Sequence, residues 1–292
     1  MQRNNTCCNT LTDEPHRIPV TVIVVTKNEE ARIAQCLEAL SGFDEIVVVD
    51  SSSDDATCAI AREMGARVED FVWNGAYPKK RQWCLDHLTL AHDWVFFVDA
   101  DEIVTVDVVN EIAVIFNGSE PDEAGFFVRA NYIWNGKMLR HGLMNSKLVL
   151  LDRTRVEFPV VDDIGLDGMG EIEGRYQPVV KAGNAAAGIG VLRAKMLHNA
   201  GDDMAAWMAR HMRYAQWEVG MNARRAWPSD PVVWRAFLKR FFRTLPMRGV
   251  AAFLHCYVLK IGFLDGAAGF DFARSRARYY AMISAASKTN KD

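Results

Sequence analysis

The feature that most constrains this chain is an alternation in its first hundred residues. Apolar runs at residues 20–25, 45–50 and 93–99 lead straight into Thr26-Lys27-Asn28-Glu29-Glu30, Asp50-Ser51-Ser52-Ser53 and Asp99-Ala100-Asp101-Glu102. Short β-branched runs of this kind read as buried strands, and residues 66–72 read as another. Between them, Ala31, Ile33, Ala34, Leu37 and Leu40 keep helical spacing until Ser41-Gly42 stops them. A second helix follows the capping residues 51–55 and ends at Gly65, and a third spans about residues 79–90. Strands and helices at this spacing imply βαβ units and a largely parallel sheet, in which ligands bind at the carboxyl ends of the strands. Three polar strand ends on one edge therefore make a site. Further strands are expected at residues 125–130 and 148–151, and residues beyond 202 turn helical.

Charge divides the molecule. The whole carries −3, but residues 193–292 hold 17 Lys and Arg against 7 Asp and Glu, a net +10, and residues 1–192 hold 17 against 30, a net −13. With 50% hydrophobic residues, disordered and low-complexity classes drop out. The six cysteines form no C-x-x-C pair, and residues 1–17 have no apolar h-region. A reduced, cytosolic protein is expected.

Asp99-Ala100-Asp101 is the most informative motif. Two carboxylates one residue apart, where a buried strand meets its loop, suit Mg²⁺ or a similar hard cation, which takes one or two carboxylates plus substrate phosphates. The bland alternative is that Asp101 caps a helix over residues 103–112. The other strand-end acids favour the metal. Residues 26–30 match neither a dinucleotide-binding G-x-G-x-x-G nor a P-loop, so simple dehydrogenases and P-loop kinases are excluded.

The order of these motifs resembles the family 2 glycosyltransferases of GT-A fold. The resemblance rests on residues 24–30, 46–55 and 98–102 and covers residues 18–115. The segment Ile261-Gly262-Phe263-Leu264-Asp265-Gly266-Ala267-Ala268-Gly269-Phe270 is similar to lipopolysaccharide-core transferases of the β-1,4-glucosyltransferase type. It implies an α/β fold: a GT-A-like nucleotide-binding sheet flanked by helices, followed by a C-terminal basic helical region. Residues 18–115 would bind the nucleotide sugar, residues 116–200 would form the acceptor side of the same domain, and residues 201–292 the helical region.

The resemblance also implies roles. Thr26, Asn28 and Glu29 would line the nucleotide pocket, and Asp50 would hydrogen-bond uracil or ribose. Ser53 or Asp54 can cap the next helix, which leaves Asp50 free for a ligand. Arg81, in Lys80-Arg81-Gln82-Trp83, would hold the pyrophosphate, as a guanidinium fork suits two phosphate oxygens. Asp99 and Asp101 would hold Mg²⁺ or Mn²⁺, with Asp99 also facing the nucleotide sugar, and His198 would join them or pack structurally. The base that deprotonates the acceptor would be Asp162 or Asp163, with Glu171 behind them. The chain departs here from a His-Glu pair found in related core transferases.

The basic end points to lipid. Residues 233–264 hold six Lys and Arg, seven aromatics and no acid. Trp234, Phe237, Leu238, Phe241 and Leu245 share one helical face, with Arg235, Lys239 and Arg243 on another. Basic amphipathic helices lie on anionic membranes, and here the three cations would make the contact. Packing onto the catalytic domain is the bland alternative, and no nucleic-acid recognition motif is present. The expected protein is an inverting, metal-dependent glycosyltransferase. It would use a nucleotide donor, UDP-linked by resemblance, and a lipid-linked glycan acceptor, peripheral on the inner face of the cytoplasmic membrane. Nucleotidyl transfer and a catalytically inactive scaffold of the same fold are the rival classes.

Overall fold

The computed structural model describes residues 17–161, 173, 176–199 and 204–289. Its first half is built from β1 (Ile18–Thr26), α1 (Ile33–Glu38), β2 (Phe43–Asp50), α2 (Thr57–Glu63), β3 (Arg67–Asp70), α3 (Lys80–His87) and β4 (Trp94–Asp99). There follow β5 (Glu102–Ile103), α4 (Val106–Ile115), β6 (Gly125–Trp134), β7 (Lys137–Met138), β8 (Asn145–Asp152), β9 (Val156–Glu157), β10 (Val179–Val180) and β11 (Ile189–Asn199). The C-terminal part is helical: α5 (Met204–Arg224), α6 (Val233–Thr244), α7 (Arg248–Leu254) and α8 (Gly266–Thr289).

One nine-stranded sheet runs in the order β3-β2-β1-β4-β8-β6-β11-β5, with β7 paired to β6. Strands β3, β2, β1 and β4 are mutually parallel, as the alternation requires. The largely parallel expectation fails beyond β4, because β8 is antiparallel to both β4 and β6. The sheet is mixed. Helices cover its central strands, so Val22, Ile23, Val24, Val48, Phe96 and Val98 have no exposure at all. Each such side chain contributes roughly 1.5–3 kcal/mol by leaving water. This burial on both faces explains why β1, β2 and β4 read as continuous apolar runs rather than alternating ones.

The helix after β4 starts later than expected. Glu102 and Ile103 form a strand, and Thr105 caps α4, its hydroxyl accepting from the Val108 N–H. Asp101 is therefore not the helix cap.

A second core joins the C-terminal helices to the end of β6. Trp134, Trp207, Phe272, Tyr279 and Ile283 pack together there. Trp207 stacks on His211 with ring centroids 3.8 Å apart, so the aromatic stripe of α5 is packing. Glu218 on α5 accepts from Arg248 of α7 and from the Tyr279 hydroxyl of α8, all three buried. The glycines of the 261–270 segment permit close approach: a Cβ on Gly269 would lie 2.0 Å from the Gly262 carbonyl oxygen.

The orientation of α6 reverses the expectation for its cations. Arg235 and Lys239 both bond Asp230, Arg235 also lies over the Phe127 ring, and Arg243 covers Trp227 at 3.6 Å. Those three residues face the protein. Trp234, Phe237 and Phe241 point outward, at 66%, 57% and 55% exposure. Among the described residues no single helix is long and apolar enough to cross a membrane.

Candidate functional site

Parallel registration brings the strand-end polar residues into one row. Thr26 of β1 lies opposite Asp50 of β2, and Val25 lies opposite Asp99 of β4. The antiparallel pairing of β8 adds a residue from the other direction. Phe96 pairs with Leu150, so Lys147 arrives level with Asp99. At the far edge β5 pairs with β11, setting His198 opposite Glu102.

The centre of the site is a knot of charge. Arg81 donates to Asp99 Oδ1 at 2.6 Å, and the Lys147 ammonium bonds Asp99 Oδ2 and, at 2.7 Å, Glu102 Oε1. Burial alone would push the Asp99 carboxyl up, but Lys147 and Arg81 outweigh it and hold Asp99 well below the usual carboxylate range. The same acids hold the Lys147 ammonium above its ordinary value against burial. Asp101 lacks such partners. Burial raises its carboxyl to about 6, with Asp99 and Glu102 adding to the rise and His198 opposing it.

Among the described residues Asp101 Oδ1 and His198 Nδ1 are buried with no hydrogen-bond partner, and they face each other at 3.5 Å. Buried polar groups are almost always paired, so a facing pair of orphans calls for a ligand between or beside them. One carboxylate oxygen and one imidazole nitrogen at this separation suit neighbouring positions on a divalent ion. Among the described residues no three His, Cys, Asp or Glu side chains form a closed cage. A cation that shares its shell with substrate phosphates and water does not need one. The donor set therefore fits the expected metal through Asp101 and His198. Asp99, expected as a third ligand, has a cation against each of its oxygens instead.

The residues assigned to the nucleotide pocket are spent largely on each other. Asn28, in the left-handed region at φ 55°, donates its N–H to Ser53 and accepts the Asp54 N–H. The Glu29 N–H goes to Thr57 Oγ1 and its carboxylate to Arg32 at 2.9 Å. Glu30 and Asp55 complete the lacing between the two loops. Asp50 is not free: its two oxygens accept the Ser53 N–H and hydroxyl at 2.7 and 2.5 Å. Thr26 differs, since its buried hydroxyl has no hydrogen-bond partner among the described residues.

Glu173 was invisible to sequence reasoning. It has no exposure, and its carboxylate accepts the backbone N–H groups of Arg81 and Gln82 at 3.0 and 3.1 Å, capping α3 from 92 residues away. Its carbonyl oxygen also accepts from Arg81 Nη1. Lys147 was missed too, although a lone Lys entering the apolar run 148–151 is a signal of sorts. Asp162, Asp163 and Glu171 lie outside the described residues.

The family model for glycosyl transferase family 2 matches residues 21–167, half of the chain and every strand-end motif of this site. This chain belongs to glycosyl transferase family 2. The mixed sheet flanked by helices is the GT-A architecture expected of the chain, and the family 2 match ends before β11, which supplies His198. Among relatives, an uncharacterized glycosyltransferase of Rickettsia felis is 36% identical over 104 residues, 35% of this chain and 36% of that one. The lipopolysaccharide core biosynthesis glycosyltransferase LpsC of Rhizobium meliloti is 33% identical over 91 residues, 30% of this chain and 33% of LpsC. These matches span about a third of the relatives' own lengths. A solved glucosyl-3-phosphoglycerate synthase from Mycobacterium tuberculosis, in complex with Mn²⁺ and UDP, is 24% identical, covering 40% of this chain and 44% of that one at a TM-score of 0.30.

Proposed function

We propose that this family 2 protein transfers a sugar, with inversion, from a UDP-linked donor to a lipid-linked glycan such as lipopolysaccharide core. The observation that carries the reading is the strand-end knot of Arg81, Asp99 and Lys147 beside the unpartnered pair Asp101 and His198. The likeness to LpsC supports the choice of acceptor.

Asp101 and His198 would hold Mg²⁺ or Mn²⁺, which when bound neutralises a diphosphate leaving group as a Lewis acid. Asp99, kept ionised by its two cations, would accept a donor hydroxyl. Arg81 and Lys147 would move toward the phosphates as negative charge arrives, since each already sits at the strand end on a carboxylate it can share. Thr26 Oγ1 offers a polar contact in the same row. Asp162 or Asp163 would take the proton from the acceptor hydroxyl during the in-line displacement.

The outward face of α6 supports a place for the reaction at a membrane surface. Trp234 and Phe237 stack at 5.5 Å on an exposed face, and further along the chain Leu254, Val258, Leu259 and Phe263 are exposed as well. No acid lies anywhere in residues 233–264. Such a face fits an anionic lipid surface, apolar rings in the acyl boundary and Lys260 at the headgroups, peripheral to the inner face of the cytoplasmic membrane. Trp234→Ser with Phe237→Ser should therefore release the protein from anionic vesicles in a sedimentation assay, whereas vesicle binding equal to wild type would remove this part.

The reaction itself is tested by a nucleotide-sugar panel with Mn²⁺, scored for slow donor hydrolysis. UDP-sugars should be consumed, and EDTA should stop the turnover. Turnover that survives EDTA, or none with any UDP-sugar, would overturn the proposal.

A further inference from the structure

A second cavity, distinct from the strand-end knot, lies between the end of α5, the inner face of α6 and residues Tyr176-Gln177. Its volume is about 660 Å³, within the roughly 300–1,000 Å³ of small-molecule pockets. Arg225, Lys239, Arg240 and Arg243 line it, against the single carboxylate of Asp230. That carboxylate is already committed, bonding Lys239 at 2.7 Å and Arg235, which lies outside the lining, at 2.9 Å. Among the described residues no carboxylate or carbonyl accepts from the guanidinium groups of Arg225, Arg240 or Arg243.

We infer that this cavity binds the anionic group of the acceptor, a sugar bearing a phosphate. Guanidinium forks match phosphate oxygens in pairs, and Arg225 and Arg240 present theirs to this cavity with no carboxylate accepting from them among the described residues. Trp227 forms a fixed wall of the cavity: Arg243 covers its ring at 3.6 Å, its indole N–H donates to Asn222 Oδ1 at 2.8 Å, and Trp217 meets it edge-on at 5.3 Å. Burial and the neighbouring like charges hold Lys239 below its ordinary range, a repulsion that an incoming anion relieves.

The cavity shares a wall with the transfer site. Gln177 accepts the backbone N–H of Leu148 at 2.6 Å, and the next residue is Lys147, which bonds Asp99 and Glu102. Tyr176 lies under the ammonium of Lys79, the residue before the helix carrying Arg81. A phosphosugar anchored at Arg225 and Arg240 is thus held beside the donor's phosphates but on separate cations. The ligand's role as acceptor rests on the glycosyl-transfer reading; its charge and place do not.

Calorimetry on the full chain with glucose 6-phosphate, glucose and UDP-Mn²⁺ separates the two. Glucose 6-phosphate should bind at least tenfold more tightly than glucose, and Arg225→Glu with Arg240→Glu should abolish that preference. The same double variant should leave UDP-Mn²⁺ affinity within twofold of wild type. Both arginines are exposed, so folding, checked by circular dichroism, should survive. Equal binding of glucose and glucose 6-phosphate, or no binding of either, would overturn the inference. So would displacement of glucose 6-phosphate by UDP alone, which would assign the cavity to the donor, or by phosphatidylglycerol vesicles, which would assign it to a lipid headgroup. Loss of UDP binding with the phosphate preference intact would instead remove the glycosyl-transfer reading and leave the cavity standing.

Discussion

Removing the carboxylate of Glu173 tests whether α3 is held in place from afar. Lys79, the residue before the helix, makes no side-chain cap bond, so the first N–H groups of α3 depend on Glu173. In Glu173→Ala the N–H groups of Arg81 and Gln82 lose their acceptor in a site with no exposure. Each buried donor left unpaired costs about 1–3 kcal/mol, so two give about 2–6. Arg81 keeps Asp99 at 2.6 Å, which sets the expectation toward the lower end, about 3 kcal/mol. Urea denaturation should show the midpoint falling with the slope unchanged. Calorimetry should show weaker UDP-Mn²⁺ binding as well, because the Arg81 backbone loses the carboxylate that anchors the start of its helix. A loss of stability under about 1 kcal/mol would mean that water or a neighbouring group caps the helix equally well, and that Glu173 does not position Arg81.

Three further expectations concern separate parts of the molecule. His198→Leu should lower Mn²⁺ affinity, read by electron paramagnetic resonance, without altering the thermal midpoint by more than a few degrees; unchanged Mn²⁺ binding would take His198 out of the donor set. Asp265 accepts the N–H groups of Arg140 and His141, and although burial pushes its carboxyl up, those bonds hold it below the ordinary value. Its stabilisation is therefore present above the unfolded carboxyl range near 3.8 and disappears as pH falls through the lower folded value, so Asp265→Asn should be less stable than wild type at pH 7 and converge with it in acid. Gly269→Ala should destabilise by about 1–3 kcal/mol in urea, because the new methyl meets the Gly262 backbone and the helix must shift.

The first half of the fold was legible because its strands are buried on both faces and end in chemistry. Apolar runs closed by Asn28-Glu29, Asp50 and Asp99 locate both the strand and the edge it feeds. What failed did so for physical reasons. A run such as residues 148–151 carries no mark of its direction, so the antiparallel β8 and its Lys147 could not be placed against Asp99. Glu173 caps a helix 92 residues earlier in the chain, and no local pattern announces that. Periodicity divided α6 into an aromatic face and a cationic face, but which one meets the protein is decided by Asp230 and Trp227, outside the helix. Asp50 shows the reverse error: with Ser53 and Asp54 at hand to cap the next helix it reads as spare, yet its carboxylate is taken up by the Ser53 N–H and hydroxyl.

The lacing of residues 28–30 to residues 53–57 has a consequence for how such a protein can diversify. Backbone N–H groups on each loop are matched to side chains on the other, bond for bond, so neither loop can gain or lose a residue without stranding partners across the gap. The two connections are locked to one length and inherit change only together. A descendant that acquires a new donor or acceptor must vary elsewhere around the sheet edge, as in the connection that leads into α3, where no such reciprocal matching of two loops is found among the described residues.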